Sequence, residues 1–371
     1  MDNKIRVLQV GMTSGVGGVE SFMCNINENI NHEKFKVDFL VHQEINSKYL
    51  NSIQKMESTV YKVAGLRDGI LKYFKEIFNF YNTNSYDIVH LNECSASFFI
   101  YCLPLLFNKK TKLIIHSHNG DSNNKIVHNI LKIFQNIRVN CRLACSDVAA
   151  KWMFKNKKSI IIHNGIDLEK FKFKLENRNM IRSELGFNEE NFVVGSIARF
   201  EQQKNHRKIL EIFKNVLEIN VKARLVLVGS GSLEDDVKKY AHELEIYDKI
   251  SFLGIRNDVE KIMAAFDVFL MPSLYEGLPF VCVEAQANGL ELLISNTISN
   301  EVILTDLVNV VNLYDTNEVW AKNLNDVYIK NKNKNRTIYN NILKEKNYDI
   351  HDVAKKIEEI YENLINEGEK N

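Results

Sequence analysis

Residues 268–295 read VFLMPSLYEGLPFVCVEAQANGLELLIS. The apolar runs at the two ends of this stretch are typical of strands that are covered on both faces. Between them, Pro279 suits the first turn of a helix and Gly289 suits the position just beyond its end. The pattern predicts a helix over 279–288 that joins two parallel strands, which is the repeating unit of an α/β fold.

The same alternation of apolar runs and helix-length segments extends in both directions along the chain. The runs before the polar stretch 167–185 are 5–10, 36–41, 87–91, 112–118, 142–146 and 159–165. The runs after it are 192–198, 224–231, 249–254, 268–273, 291–295 and 308–313. Two Rossmann-like domains with parallel sheets are therefore predicted, over 1–168 and 169–349. Apolar residues at helical spacing over 353–365 predict a last helix, within 350–371, that packs back on the first domain.

Length and composition exclude several classes of protein. At 371 residues, with 45% apolar and 26% charged residues, the chain has the composition of an ordinary globular protein and room for two domains. Lysine plus arginine (48) nearly equal aspartate plus glutamate (47), so no global field attracts nucleic acid. Scattered cysteines without a C-x-x-C pair, and a start that does not read as a signal peptide, predict reduced thiols and a cytoplasmic location. The longest apolar run, 95–107, is too short to span a bilayer and is predicted to form a buried helix.

Two glutamates flank the start of the predicted helix 279–288. Glu276 precedes the helix, and Glu284 lies within it, about 7 to 8 Å along the axis beyond Pro279. The two carboxylates can therefore contact different parts of one extended ligand, and the helix N-terminus near Gly277 suits a phosphate. The alternative is that both carboxylates are merely solvated, which the glycine, proline and strand-to-helix context disfavours.

Two cations follow the strand predicted at 192–198. Arg199 comes directly after it, and Lys204 lies in the loop that Asn205 would close as the N-cap of the next helix. Ligands of doubly wound folds bind at the carboxyl edge of the sheet, so both cations are candidates for gripping a diphosphate rather than surface charges. No D-x-D triplet occurs in the sequence, so we expect these cations and helix ends, without a metal, to neutralise such a group.

The first domain offers a glycine-rich turn and a pair of histidines. The turn at 11–20 follows the first strand and leads into a helix predicted over 21–30, which indicates either an anion site or a plain tight turn. The turn does not match G-x-G-x-x-G, so a dinucleotide fingerprint is not indicated. His116 and His118 end the strand at 112–118, where a catalytic or substrate-orienting imidazole is favoured over a metal ligand. A core histidine remains the alternative for one of the two.

Several longer pieces of the sequence carry a family resemblance. They are GGVESFMCNI (17–26), FKVDFLVH (35–42), IIHSHN (114–119), HNGID (163–167), ARFEQQKNH (198–206), LVLVGSGSLEDDV (225–237) and DVFLMPSLYEGLPFVCVEAQANGL (267–290). With these pieces the sequence resembles glycosyltransferase family 4, and within it the EpsF-like transferases of exopolysaccharides and capsules. The resemblance implies the GT-B architecture, in which two Rossmann-like domains face each other across a cleft, and retention of anomeric configuration. One departure is Glu291, which stands where the subgroup usually has proline.

The resemblance also implies roles for single residues. Glu276 would face the donor hexose and the reacting centre, and His116 would be the active-site histidine, with His118 the weaker candidate. The donor-binding residues that the resemblance implies are Gly17, Gly18, Arg199, Lys204, Gly229, Gly277, Leu278 and Glu284. The first-domain glycines and the two cations would hold the diphosphate, and Glu284 would hold the ribose hydroxyls.

As a whole, the resemblance implies an enzyme that needs neither metal nor cofactor. It would move a hexosyl or N-acetylhexosaminyl group from a UDP-sugar to a saccharide acceptor, often one linked to lipid. A non-hydrolysing nucleotide-sugar epimerase and a non-enzymatic nucleotide-sugar-binding module are the alternatives, and no nucleic acid partner is expected. Residues 125–142 mix basic and apolar side chains at helical spacing, so they are predicted either to rest on the cytoplasmic face of an anionic membrane or to form an ordinary packing helix.

Overall fold

A computed structural model of the chain describes residues 4–15, 17–120, 125–331 and 334–369. The chain forms two compact units, Met1–Gly165 together with Asn347–Asn371, and Ile166–Lys346. Both crossings between the units fall slightly before the positions expected from the sequence, 168 and 349.

Strands form where the sequence predicts them, with differences in length. In chain order they are β1 (Ile5–Val10), β2 (Phe35–Val41), β3 (Val60–Lys62), β4 (Ile88–Glu93), β5 (Lys112–Ser117), β6 (Cys141–Ala144), β7 (Ile160–Ile161), β8 (Phe192–Ile197), β9 (Ala223–Val228), β10 (Ile250–Phe252), β11 (Val268–Met271), β12 (Glu291–Ser295) and β13 (Val308–Val311). The described ladders between them are parallel. The sequence did not signal β3, a 3-residue edge strand, and β7 keeps only 2 residues of its predicted run.

Helices occupy most of the segments between strands. In chain order they are α1 (Gly18–Asn29), α2 (Ser47–Lys55), α3 (Ile70–Thr83), α4 (Lys125–Arg138), α5 (Asp147–Phe154), α6 (Leu168–Phe171), α7 (Leu175–Glu184), α8 (His206–Ile219), α9 (Glu234–Glu243), α10 (Val259–Ala265), α11 (Phe280–Ala287), α12 (Asn317–Asn331), α13 (Tyr339–Glu345) and α14 (Ile350–Glu369). Short 3₁₀ helices lie at Leu66–Asp68, Ala96–Leu106, Gln202–Lys204, Tyr247–Lys249, Asn300–Val302 and Arg336–Ile338.

The apolar run at 95–107 forms the 3₁₀ helix Ala96–Leu106, which contains Pro104 and buries Phe99 and Cys102 completely. Of the helices in the described residues, none combines the length and the apolar character that crossing a bilayer requires.

The first unit is built on a 7-stranded sheet in the order β3-β2-β1-β4-β5-β6-β7. Its core on one face joins side chains of α1, α2 and α14, including Phe22, Tyr49 and Ile357, to strand residues such as Val7 and Phe39. The last helix of the chain therefore packs on the first sheet. The core on the other face is formed with α3, α5 and the 3₁₀ helix Ala96–Leu106.

The second unit has a 6-stranded sheet in the order β10-β9-β8-β11-β12-β13. On one face, α8, α9 and α12 contribute buried residues such as Phe213, Val237 and Trp320 to a shared core. The strand order reverses between β8 and β11, so the loops after these two strands meet at the carboxyl edge of the sheet. In open parallel sheets this is the position where ligands bind.

Candidate functional site

The two loops that meet at the reversal point of the second sheet are joined by several bonds. The backbone N–H of Leu274 donates to the Gln203 carbonyl over 2.8 Å, and the Gln203 amide donates to the Tyr275 carbonyl over 2.8 Å. The ammonium group of Lys204 donates to the carboxylate of Glu276 in a salt bridge. Both side chains are largely buried, with 16% of Lys204 and 11% of Glu276 exposed. The structure thus brings together two residues that are 72 positions apart in the sequence.

Arg199 is placed at the same edge, directly after β8. Its side chain is exposed, and it makes no ion pair or hydrogen bond with any residue that the structure describes. Arg199 is therefore a cation that is available to an incoming anion.

Asn205 occupies the position before α8, as predicted, but it does not act as a side-chain cap. Its backbone is left-handed, with φ of 57°, and its amide donates to the Pro272 carbonyl over 3.1 Å. The predicted capping bond is absent because the side chain is used to tie the β8 loop to the β11 loop.

The helix predicted over 279–288 is α11, Phe280–Ala287. Pro279 takes the N-cap position and makes no side-chain capping bond, so the first amides of the helix have no capping side chain. Gly277 before it is exposed and Leu278 is half-buried. Gly289 ends the helix with φ of 67°, and an added Cβ would come within 2.2 Å of the Arg336 carbonyl oxygen. The helix therefore starts beside Glu276 and stops where only glycine fits.

Glu284 lies within α11 and is half-buried. Gly229 follows β9 at the same edge of the sheet, with φ of 132°. A Cβ at this position would lie 2.1 Å from the Ala198 carbonyl oxygen, so the close approach of the β8 and β9 loops needs glycine. Gly229 therefore has a structural role in addition to its predicted role in donor binding.

The segment 295–299 at the end of β12, here called the strap, also supports the Glu276 loop, and no sequence pattern predicted it. The hydroxyls of Ser295 and Thr297 each donate to the Ser273 carbonyl over 2.7 Å. The Ser299 N–H donates to the Glu276 carbonyl over 3.1 Å. These bonds fix the backbone on both sides of Tyr275, which is itself exposed.

In the first unit, Gly17 and Gly18 lie at the start of α1, with Gly17 exposed at the N-cap position. The turn before them is held by Thr13, whose N–H and hydroxyl both donate to Oε1 of Glu20, over 3.2 and 2.5 Å. Glu20 is buried and its carboxylate is used inside the turn. The helix therefore begins at Gly18, three residues before Ser21, the expected position, and presents its first amides at an exposed glycine.

The two predicted histidines have different surroundings. His116 is fully buried, and its ring packs edge-on against Phe22 with centroids 4.9 Å apart. His118 is half-buried, and its two ring nitrogens lie 3.1 Å from the Asn92 amide and 3.2 Å from the Asn164 amide. Burial lowers the pKa of His118 to about 3, opposed by the bond to Asn164, so the ring is neutral near pH 7. The geometry favours His118 over His116 as the group that meets a ligand, the reverse of their order from the sequence.

Sequence reasoning missed a third histidine in this cluster. His90 on β4 is fully buried and stacks on His116 with centroids 5.4 Å apart. Burial, with His118 nearby, lowers the pKa of His90 to about 3. A histidine inside the apolar run 87–91 was the available signal. Within the part of the chain that the structure describes, no group of at least three His, Cys, Asp or Glu side chains is arranged to hold a metal ion.

The chain is similar to known glycosyltransferases over most of its length. A model of glycosyltransferase family 4 matches residues 16–170, and a model of the glycosyl transferases group 1 matches residues 177–344. The glycosyltransferase EpsF of Bacillus subtilis is 29% identical over 336 residues, 86% of each chain. An Escherichia coli enzyme, UDP-Gal:alpha-D-GlcNAc-diphosphoundecaprenol alpha-1,3-galactosyltransferase, is 26% identical over 322 residues, which cover 81% of this chain and 82% of that enzyme.

Among solved structures, HepE of Anabaena in complex with UDP superposes with a TM-score of 0.78. It is 19% identical in sequence, and the match covers 97% of this chain and 100% of HepE. The two parallel-sheet units thus have the GT-B fold that the resemblance implied. Because the two glycosyltransferase models together span most of the sequence and the aligned relatives are sugar transferases, the chain is an enzyme, a glycosyltransferase of the family 4 type.

Proposed function

We propose that this enzyme transfers a hexosyl or N-acetylhexosaminyl group from a UDP-sugar to a lipid-linked saccharide, with retention and without a metal, in exopolysaccharide or capsule biosynthesis. The observation that carries the proposal is the grouping at the carboxyl edge of the second sheet. Exposed Arg199, the Lys204–Glu276 pair and the N-terminus of α11 all lie at the point where the strand order reverses.

The leaving nucleoside diphosphate gains negative charge as the bond to the sugar breaks. Arg199 has no side-chain partner among the described residues and supplies a positive charge, and the α11 N-terminus supplies aligned amides. Lys204 is held by Glu276, so its ammonium group is already fixed in place when the ligand arrives. Groups fixed before the reaction stabilise the developing charge without reorganisation.

Glu276 has a second part in this arrangement. Its side chain is 11% exposed and paired with Lys204, and its backbone carbonyl accepts from the Ser299 N–H, so the carboxylate that is assigned to the donor sugar is held in place. Glu284 lies further along α11 and is assigned to the ribose hydroxyls. Glu276 precedes α11 and Glu284 lies within it, on either side of the helix N-terminus, which suits a ligand with diphosphate between sugar and ribose.

The uridine base and the acceptor class rest on the relatives. HepE binds UDP and, in a further structure, UDP-glucose, and the Escherichia coli relative is named for a UDP-Gal donor and a diphosphoundecaprenol acceptor. His118, the partly exposed histidine of the first unit, is assigned to orient a substrate hydroxyl. The comparisons give no support to the epimerase and the non-enzymatic sensor.

A thermal-shift panel of UDP-sugars tests the donor. A ligand that binds only the native state stabilises it by about 2.7 kcal/mol at one hundred times its Kd, so the correct donor raises Tm. We expect one UDP-hexose or UDP-N-acetylhexosamine to raise Tm more than UDP does. Lys204→Ala should abolish the shift and Arg207→Ala should keep it, because the Arg207 guanidinium stacks on Tyr240, 4.2 Å from the ring centroid. A panel without any shift would contradict the proposal.

The helix α4 supports contact with a membrane. Its buried side chains are the polar ones, His128, Lys132 and Gln135. Its exposed large apolar side chains are Ile126, Val127, Ile130, Ile133, Phe134 and Ile137. The four isoleucines in this set follow the spacing i, i+4, i+7 and i+11, so they lie on one face of the helix. An ordinary packing helix buries such a face, and α4 does the opposite.

We propose that this outward apolar face of α4 rests on the cytoplasmic face of an anionic membrane, where a lipid-linked acceptor is found. The cationic side chains of α4 contribute less to membrane binding than the sequence indicated. Lys132 donates to the Trp152 carbonyl and Arg138 donates to the Leu105 carbonyl. Apolar contact is therefore the main contribution to membrane binding. Lys109 and Lys110, which are exposed and precede α4 in the chain, add attraction to anionic lipid.

Flotation with liposomes tests this contact. We expect the enzyme to float with anionic vesicles at low salt and to keep part of that association at high salt. Replacing Ile130 and Ile133 together by serine should lower the partition by at least about tenfold, since each buried isoleucine contributes about 1.5–3 kcal/mol.

The matched control is Ile219→Ser in the second unit, because Ile219 is 50% exposed and Ile130 is 54% exposed. This control should float like the unsubstituted enzyme. A lack of association at low salt, or equal loss in the control, would contradict the proposed contact.

A further inference from the structure

A continuous chain of buried hydrogen bonds runs through the first unit. The ring nitrogen Nδ1 of His90 lies 2.7 Å from the hydroxyl of Tyr361 on α14, and its Nε2 lies 3.3 Å from Nδ1 of His116. The Gln9 amide nitrogen donates to the Tyr361 oxygen over 3.2 Å. Asn92 donates to Gln9 over 2.7 Å and contacts His118 through its Oδ1 over 3.1 Å.

The orientation of the Asn92 amide within this hydrogen-bond network is fixed by a backbone carbonyl. The amide nitrogen of Asn92 also donates to the His90 carbonyl over 3.3 Å, and a carbonyl can only accept. This sets which end of the Asn92 amide is nitrogen. The Gln9 oxygen must then face Asn92, and the Gln9 nitrogen must face Tyr361. The Asn92 oxygen faces His118, so Nε2 of His118 carries the ring hydrogen. Nδ1 of the neutral ring can then only accept, so the nitrogen end of the Asn164 amide, 3.2 Å away, must face it.

The position of the Tyr361 hydrogen follows from the same chain. Since the phenolic oxygen accepts from Gln9, its own hydrogen is free to be donated to Nδ1 of His90. His90 then holds its hydrogen on Nε2 and donates it to Nδ1 of His116. His116 in turn holds its hydrogen on Nε2. Every ring in the cluster is thereby assigned one tautomer.

We propose that Tyr361 is a positioning residue whose hydroxyl fixes the tautomers of His90 and His116 and, through Gln9 and Asn92, supports the orientation of His118. The inference rests on the proposed function only for the role of His118 in orienting substrate. Tyr361 itself is fully buried on the last helix of the chain and does not touch substrate.

The physical reason for such a device is the density of rings at this place. The centroids of His116 and His118 are 4.1 Å apart. Nε2 of His90 lies 3.3 Å from Nδ1 of His116, so a change of tautomer in one of these two rings alone would set donor against donor or acceptor against acceptor. Burial, with His118 and His90 nearby, holds the pKa of His116 well below its usual range, against the backbone of Ile162. Because the rings are uncharged, their orientations must be determined by hydrogen bonds rather than by charge.

Imidazole nitrogen NMR of the full chain tests the inference, with signals assigned by single His→Gln substitutions. In Tyr361→Phe, Nδ1 of His90 loses its donor, so we expect His90 and His116 to leave the single-tautomer pattern. We also expect kcat to fall by about tenfold, less than the roughly 10²-fold cost of misplacing a reacting group, with the KM for the donor unchanged.

Two further variants make the test specific. Tyr86→Phe also removes a buried hydroxyl, one that donates to Asp38 over 3.1 Å away from the histidines, and it should leave both the tautomers and kcat unchanged. Gln9→Met cuts the branch to Asn92, and it should disturb His118 while leaving Nδ1 of His90 bonded to Tyr361.

Unchanged His90 and His116 signals in Tyr361→Phe, or the same change in Tyr86→Phe, would overturn the inference. The NMR result does not depend on sugar transfer. An unsubstituted enzyme with the single-tautomer pattern but no transferase activity would therefore refute the proposed function and support the positioning role.

Discussion

Replacing Arg199 or Lys204 by alanine is expected to lower kcat by roughly 10² to 10³ in each case, the usual cost of removing one preorganised group that stabilises developing charge. Arg199 is exposed at the carboxyl edge of the second sheet, without a side-chain partner in the part of the chain that the structure describes, and Lys204 is fixed there by Glu276. Single-turnover measurement of UDP release from the donor separates this loss from a loss of binding. The fold should persist, because Arg199 has no bonds within the described residues to lose.

Arg207→Ala is the matched control for this prediction. Arg207 follows Lys204 closely in the chain, but its guanidinium lies over the ring of Tyr240. The kcat of Arg207→Ala should stay within about twofold of the value for the unsubstituted enzyme, because only a surface cation-π contact is lost. Near-normal turnover in both Arg199→Ala and Lys204→Ala would show that the diphosphate site lies elsewhere.

The largest expected effect on stability is at Asp267, at the amino end of β11. Its carboxylate accepts from Arg178 and Arg182 over 2.8 and 2.7 Å and from the Val193 N–H over 2.8 Å. Arg336 lies close by, and burial, with Arg178 nearby, lowers its pKa to about 9. Asp267→Asn leaves these guanidinium groups without their shared anion, so we expect a loss of about 3–5 kcal/mol in the free energy of unfolding of the second unit.

Urea unfolding followed by tryptophan fluorescence measures this loss. The sequence has 2 tryptophans, Trp152 in the first unit and Trp320 in the second, so a Trp152→Phe background reports on the second unit alone. The control is Asp258→Asn, because Asp258 also pairs with an arginine, Arg256, but both side chains are more than a quarter exposed. That control should cost no more than about 1 kcal/mol. Equal losses in the two variants would contradict the account of Asp267.

The sequence was sufficient for the parts of the fold that depend on local pattern. Pro279 and Gly289 mark the ends of α11 to within a residue, because proline and glycine restrict the backbone directly. The β3 edge strand could not be predicted in the same way, since Val60–Lys62 is defined by its pairing with β2 rather than by an apolar run.

The residues of the candidate site and their common location could be predicted from the sequence, but the contacts that hold them could not. Arg199, Lys204 and Glu276 follow strands whose carboxyl ends meet, so their common location could be expected from the topology. The Asn205 bond to Pro272 and the strap at Ser295 and Thr297 involve residues far apart in sequence, and no spacing rule encodes them. For His116 and His118 the sequence shows that both end a strand, but burial depends on Phe22 and His90, which lie on other elements.

The most direct test of the proposed enzyme is transfer of sugar from the donor chosen by the thermal-shift panel to a saccharide on an undecaprenol diphosphate carrier. The reaction should be followed by release of UDP in excess EDTA and again after Mg²⁺ is restored. We expect the same kcat under both conditions and a product with retained anomeric configuration, because Arg199, Lys204 and the α11 N-terminus meet the charge of the leaving group. Turnover that disappears in EDTA and returns with Mg²⁺ would contradict this result.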